Sequence, residues 1–399
     1  MKQPLIMYED KDFRLSEEYA SIIQGLDNYF KSNYTDGTDA VLNAEGLVPV
    51  NLTQIKAKEY SDWEAIIADL NDLKVGYRAI TSELRSFYML KQIDSLISLV
   101  RWARKDDFDF RTKVRDFLFV DENPITIREC EQLHAMLQEK FQSIGLQGDV
   151  HSNYHKWTQD RLVPAQEIES TLNHLFIQAK QQVMEKMFPD VEDVQVKVKI
   201  AHNIPFSAYC DYVNETMIIN GDYDYTYESL KHLATHEVFP GHTTHLHMRE
   251  MEYKKGNIPA DAALVITNTA SSPIFEGIGD NGLDFIGWNE SINDEISNII
   301  QIIKSISGIN SSYQLNELKK SPDEIAQFLK EFAFGQEEWI ESRLRFMSHP
   351  LRGPFIYSYF RGYEGVRDVY QGLSVSEKPE FFDYLYKNML TLNELKKFR

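Results

Sequence analysis

Residues 236–242 read His236-Glu237-Val238-Phe239-Pro240-Gly241-His242, inside a segment of helical character that runs from Tyr227 to about Lys254. Neutral imidazole is the commonest side-chain ligand of zinc, and a glutamate beside it is the usual base for a metal-activated water. Two histidines share a helical face at i and i+4, as in His-Glu-x-x-His. Here they are six apart, which on a regular helix rotates the second imidazole by about 120°. Pro240 removes a backbone donor and clashes with the carbonyl of His236, and Gly241 tolerates unusual backbone angles. We therefore expect a bulge that absorbs two residues and returns His242 to the face of His236.

The histidines cluster. Five of the eleven lie between positions 232 and 247: His232, His236, His242, His245 and His247. Two other readings stand beside the bulged pair. His232 and His236 are themselves i, i+4, which would leave His242 and His245 to pack or cap, or the cluster is structural and holds no metal. Of His245 and His247, at most one is expected near the metal.

A hydrolytic zinc site needs a third protein ligand. Glu276, in Phe275-Glu276-Gly277-Ile278-Gly279-Asp280, is the best candidate, 34 residues after His242. That interval lets a second helix reverse and pack on the first. Asp280, one turn later, is a candidate to orient a ligand imidazole.

Further out, apolar spacing predicts a helical stretch from Trp63 to about Arg104 and further helices over Thr126–Ile144 and Pro164–Met187. Residues 33–52 read as loop. Val194 to Ile200 alternates with period two, as a strand with one buried face does. Ala208–Val213 and Thr216–Asn220 flank a tight hairpin turn. Helix resumes from about Ile296 to Phe346 with breaks near Gly308 and Pro322. Pro350, Gly353 and Pro354 mark a loop before a last helix. The sum is a mainly α chain with a small β-sheet. It divides into an N-terminal helical region, 1–190, and a metal-binding catalytic region, 191–399, joined as one continuous structural unit.

Composition narrows the partners. The 61 acidic and 42 basic residues give a net charge of −19, which disfavours nucleic acid and anionic membrane surfaces. No run approaches a membrane span, and Met1 to Asp10 carries no apolar leader core. Two cysteines, Cys130 and Cys210, make no disulfide framework. We expect a soluble cytoplasmic protein.

The His236–His242 segment resembles the His-Glu-x-x-Pro-Gly-His motif of the bacterial proteins called "domain of unknown function 885". Three further motifs follow that family's order: a Tyr-containing hairpin ending in Asn (Tyr209, Asn220), Phe275-Glu276-Gly277, and Ser358-Tyr359-Phe360-Arg361-Gly362. The resemblance covers roughly residues 190 to 375. Where the family has Glu-Gly-Trp-Ala-x-Tyr-x-Glu, this chain has Glu276-Gly277-Ile278-Gly279-Asp280-Asn281-Gly282-Leu283, whose three glycines we expect to loosen the helix. The family is similar to helical zinc peptidases such as carboxypeptidase Taq, and dipeptidyl peptidase III has a comparable insertion between its histidines.

The resemblance implies a helical, two-lobed, zincin-like metallopeptidase fold with the small sheet edging its active-site cleft. It implies one zinc ion on His236, His242 and Glu276, with Glu237 as base and Tyr359 as donor to the oxyanion. Tyr363 and Arg361 are alternatives to Tyr359, and Arg361 could instead clamp a substrate carboxylate. The function expected is hydrolysis of a peptide or peptide-like amide. The alternatives are a metal-dependent enzyme acting on a small metabolite in a biosynthetic pathway, or a non-catalytic binding relative.

Overall fold

The computed structural model describes residue 6, residues 8–34 and residues 39–398. Most of the stretch read for a leader, residues 1–5 and 7, lies outside the described residues, as do residues 35–38 of the expected loop. The chain is mainly helical with two small sheets. It gathers into two compact units, each assembled from separated segments. One comprises Met1–Glu122, Thr244–Ile278 and Arg361–Arg399; the other comprises Asn123–Thr243 and Gly279–Phe360. Residue 190, where sequence suggested a division, lies inside the second unit. The reason is local packing: the Ile168–Lys186 helix packs both on the Tyr227–Glu237 helix and on the Lys197–Ala201 strand.

In the first unit the helical stretch expected from Trp63 to about Arg104 is present as two helices, Trp63–Arg78 and Glu83–Ala103. Apolar spacing continues through the break, but the Ser82 side chain accepts from the Arg85 backbone N–H and starts a new helix. The two helices pack on each other through Ile66, Leu70, Leu73, Met89, Ile93 and Leu96, all at most 1% exposed. The expected loop over 33–52 contains a short helix, Ala40–Glu45, which Asp39 caps by accepting from Val41 and Leu42. Val50–Asn51 pairs antiparallel with Leu264–Val265. Within this unit Arg85, 0% exposed, is ion-paired to Asp12 at 3.0 Å and to Asp261 at 2.5 Å. Ser16 donates to Asp261 as well.

In the second unit the central strand Thr216–Asn220 runs parallel to Lys197–Ala201 and antiparallel to Ala208–Asp211. The hairpin is as read. The first strand is shorter than its alternation suggested, and Ile200 is 40% exposed, because it is an edge strand with no fully buried face. The Ile127–Ser143 helix has the capping box that Thr126 and Glu129 allow. The Ile292–Asn316 helix runs through Gly308 unbroken. A Cβ at Gly308 would lie 3.2 Å from Ile356, so the glycine serves close packing. The break at Pro322 is real: Ser321 caps, and proline takes the first helical position. The loop expected around Pro350 instead includes a one-turn helix, Arg352–Phe355. Ile296, Ile299, Ile300 and Ile303 form a core with Leu137, Phe141, Tyr154, Trp157 and Phe334.

Candidate metal centre

The Tyr227–Glu237 helix begins at Thr226, whose side chain accepts from Ser229. Leu230, Ala234 and Thr235 are buried, and His232 and His236 share one face. The helix then stops. Val238 and Phe239 both donate to the carbonyl of Ala234, and Gly241 donates to that of Thr235 at 2.9 Å. The Phe239–Pro240 peptide is cis. A new helix runs from His242 to Lys254. The expected bulge within one helix is thus a break between two, because Pro240 offers no N–H to continue the ladder. Its geometric consequence is the one anticipated: the rings of His236 and His242 lie 4.7 Å apart at 86°.

Two contacts that the sequence did not signal hold this break. A Cβ on Gly241 would fall 1.7 Å from the carbonyl oxygen of His236, so only glycine fits. The Thr243 hydroxyl donates to the Glu237 carbonyl at 2.9 Å, satisfying a helix-end acceptor. Cys210 Sγ lies 3.3 Å from the same hydroxyl. Burial, and then the charge of Glu237, push the Cys210 thiol up to about 12, which places the Glu237 carboxylate near it.

Asp280 Oδ1 lies 2.9 Å from His236 Nδ1. An ionised carboxylate there fixes the proton on Nδ1 and leaves the Nε2 lone pair for a metal. His232 Nε2 approaches the same oxygen at 3.6 Å. Burial lowers the His232 pKa to about 4, and burial followed by His236 lowers that of His242 well below 6.5. Both rings are therefore neutral at pH 7.

Two groups of side chains could hold an ion: His232, His236 and Asp280; and His236, His242 and Glu276, each with ligand atoms within 4.8 Å of one another. A hydrogen bond already accounts for the close contact in the first. The second offers two imidazoles and a carboxylate, the donor chemistry zinc takes. Glu276 lies one turn before Asp280 on the Ser272–Asp280 helix and is 8% exposed. The helix ends at Asp280, before Gly282. A Cβ at Gly279 would lie 2.7 Å from His236 Nδ1, and one at Gly277 2.4 Å from the Gly362 carbonyl. These glycines admit neighbours that any side chain would exclude.

The remaining candidates lie on the Tyr357–Gln371 helix. Tyr359, half-buried, packs edge-on against Phe355 at 5.7 Å. Arg361 is ion-paired to Asp121 at 3.1 Å and Glu364 at 3.4 Å. Tyr363 is buried, with Arg367 over its ring. His245 is buried against Phe275 and Tyr386, and His247 is half-buried. Among the described residues no helix is long and apolar enough to cross a membrane.

No family model matches the chain, and no curated protein sequence matches it. Solved structures do. A candidate lipoprotein from Colwellia psychrerythraea aligns over 84% of this chain and 69% of its own, with a TM-score of 0.56 and 10% identity. A candidate lipoprotein of unknown function from Shewanella oneidensis aligns over 96% of this chain and 72% of its own, with a TM-score of 0.51 and 11% identity. At these identities the chain shares a fold with both proteins, and the likeness extends no further.

Proposed function

We propose that this chain is a zinc-dependent hydrolase of peptide or peptide-like amide bonds, with His236, His242 and Glu276 as ligands of one ion and Glu237 as general base. The observation that carries this reading is the convergence of two imidazoles and a carboxylate within 4.8 Å, with Glu237 adjoining His236 in the chain. A divalent ion bound there supplies a Lewis acid for the scissile carbonyl and acidifies the attacking water. Glu237 accepts the water proton and delivers it to the leaving nitrogen. Asp280 holds His236 in the competent tautomer and orientation. Tyr359 donates to the developing oxyanion. The ion pairs of Arg361 favour Tyr359 over it in that role.

The order of the four motifs supports distant kinship with the domain of unknown function 885 proteins and with it a two-lobed, zincin-like fold. Functionally, residues 191–399 contribute the chemistry and residues 1–190 the helical support. Two free, buried thiols suit a cytoplasmic location. The names of the two structural neighbours raise the cell envelope as the alternative, which fractionation of native cells decides.

Elemental analysis of protein purified without added metal tests the site. About one zinc per chain, lost in His242→Ala, supports it, and a screen of peptides and amides then follows. Absence of metal after zinc is offered defeats it. Loss of metal on His232→Ala but not on His242→Ala would transfer the site to the His232–His236 pair.

A further inference from the structure

Two cations of the second unit stand apart from their neighbours. Arg161 is ion-paired to Glu228, and Lys231 to Asp294 at 3.1 Å. Lys304 and Arg343 have no carboxylate partner among the described residues, although the chain carries 61 acidic residues against 42 basic. Lys304 Nζ makes no hydrogen bond there. Of the Arg343 guanidinium only Nη2 does, donating to the Ser207 hydroxyl at 3.2 Å. Both side chains are half-buried rather than sealed in the core.

The two meet at one ring. Lys304 Nζ and the Arg343 guanidinium each lie 5.5 Å from the centre of the Trp339 ring. Arg343 follows Trp339 by four residues on the Glu337–Ser348 helix and so shares its face. Lys304 comes from the Ile292–Asn316 helix, which packs on that helix. Gly335 gives the indole its place: a Cβ there would lie 3.0 Å from Trp339 Cε3. The ring face attracts each cation and neutralises neither. The pair also stands beside the histidines. The Ile292–Asn316 helix packs on the Tyr227–Glu237 helix, which carries His232 and His236. Ser207 directly precedes the Ala208–Asp211 strand, which packs on the same helix. Burial lowers the His232 pKa to about 4, and Lys304, after His236, adds to that lowering, which places its charge near the imidazole. All these groups belong to the second unit.

We infer that Lys304 and Arg343, gathered at the Trp339 ring, form a subsite for a carboxylate of the substrate. One carboxylate oxygen accepts from Lys304 Nζ and the other from Arg343 Nη1, donors that the described residues leave unused. The substrate thus supplies the anion that two neighbouring like charges lack. A peptide or peptide-like amide carries such a group at its C-terminus or on an acidic side chain, and the chemistry at the subsite is the same for both. This deepens the amide-hydrolase reading and rests on it for the neighbouring chemistry. It moves the carboxylate clamp from Arg361, which Asp121 and Glu364 engage, to Lys304 and Arg343.

The test is calorimetric binding of three N-acetylated tripeptides to the full chain carrying Glu237→Gln. One is a neutral C-terminal amide, one the same peptide as free acid, and one a C-terminal amide with a glutamate side chain. One of the two acidic peptides should bind about 10- to 100-fold more tightly than the neutral one, the range for hydrogen bonds to charged groups. Which of them does so names the source of the carboxylate. Lys304→Gln and Arg343→Gln, on separate helices, should each bring that ratio near one. Arg343→Lys keeps the charge and should keep a preference, which a packing role would not predict. Raising the salt should shrink the preference of the parent. Equal binding of all three peptides, binding of none, or a preference that survives both glutamine variants would overturn the subsite. Acid-selective binding without hydrolysis by the unsubstituted chain would defeat the hydrolase and leave the subsite. Hydrolysis of the neutral and acidic peptides at equal kcat/KM would do the reverse.

Discussion

The cluster around Arg85 and the cluster around His236 are both buried and polar, and they are built to opposite ends. In the first, a guanidinium lies between Asp12 and Asp261, Ser16 takes a further carboxylate position, and the rings of Tyr77 and Tyr88 stand 5.7 Å from the charge. Cation and anions answer each other, and the group joins three stretches of chain far apart in sequence. In the second, burial lowers the pKa of His232 to about 4 and that of His242 well below the ordinary value, and Asp280 Oδ1 lies 2.9 Å from Nδ1 of His236. Imidazoles and a carboxylate are gathered there with ligand atoms within 4.8 Å of one another. Burial alone therefore does not mark a functional site. What matters is whether the buried charges and lone pairs are matched by the protein itself.

The contrast can be broken most sharply at the base. Glu237→Gln should lower turnover by about 10²- to 10⁴-fold while metal content stays at that of the parent, read by steady-state kinetics beside elemental analysis. If turnover is unchanged, Glu237 is not the base. Arg85→Met should do what no change at the histidines does, destabilising the fold by about 3–5 kcal/mol in denaturant titration, because it strands two buried carboxylates. A loss below about 1 kcal/mol would mean the Arg85 cluster is not a matched network. Asp280→Asn should weaken zinc about 10- to 100-fold in competition with a chelator. Equal affinity would reduce Asp280 to a packing group.

The smallest effect concerns pH. The folded pKa of His232, about 4, lies below the ordinary 6.5. The unfolded chain thus binds more protons than the folded one across that interval, so stability rises with pH. The metal-free protein should be fully stable above about pH 6.5 and lose stability as pH falls toward 4. Thermal unfolding at stepped pH reads this, and His232→Gln should flatten the slope. A flat profile in the parent would show that His232 is not buried neutral.

Local rules carried far in this chain. Histidine clustering, Pro240-Gly241 and the reach to Glu276 pointed to the candidate ligands, and the helix start at Thr126 and the break near Pro322 are both present in the structure. Sequence misjudged places where a local signal has a tertiary purpose. Gly308 looked like a break, and the packing uses of Gly277 and Gly279 went unseen, because propensity sees only the lost side chain. In the fold each of the three makes room for a neighbour: Ile356, the Gly362 carbonyl and the His236 ring.

Residue types and spacings are properties of the chain, and they determined which donors exist and that the helical ladder would be disturbed at Pro240. Which of those donors are matched was decided only in three dimensions. Asp261 pairs with Arg85, Asp280 reaches Nδ1 of His236, and Arg361 is tied to Asp121 across 240 positions of sequence. Such pairings depend on contacts between distant segments, and no local periodicity encodes them.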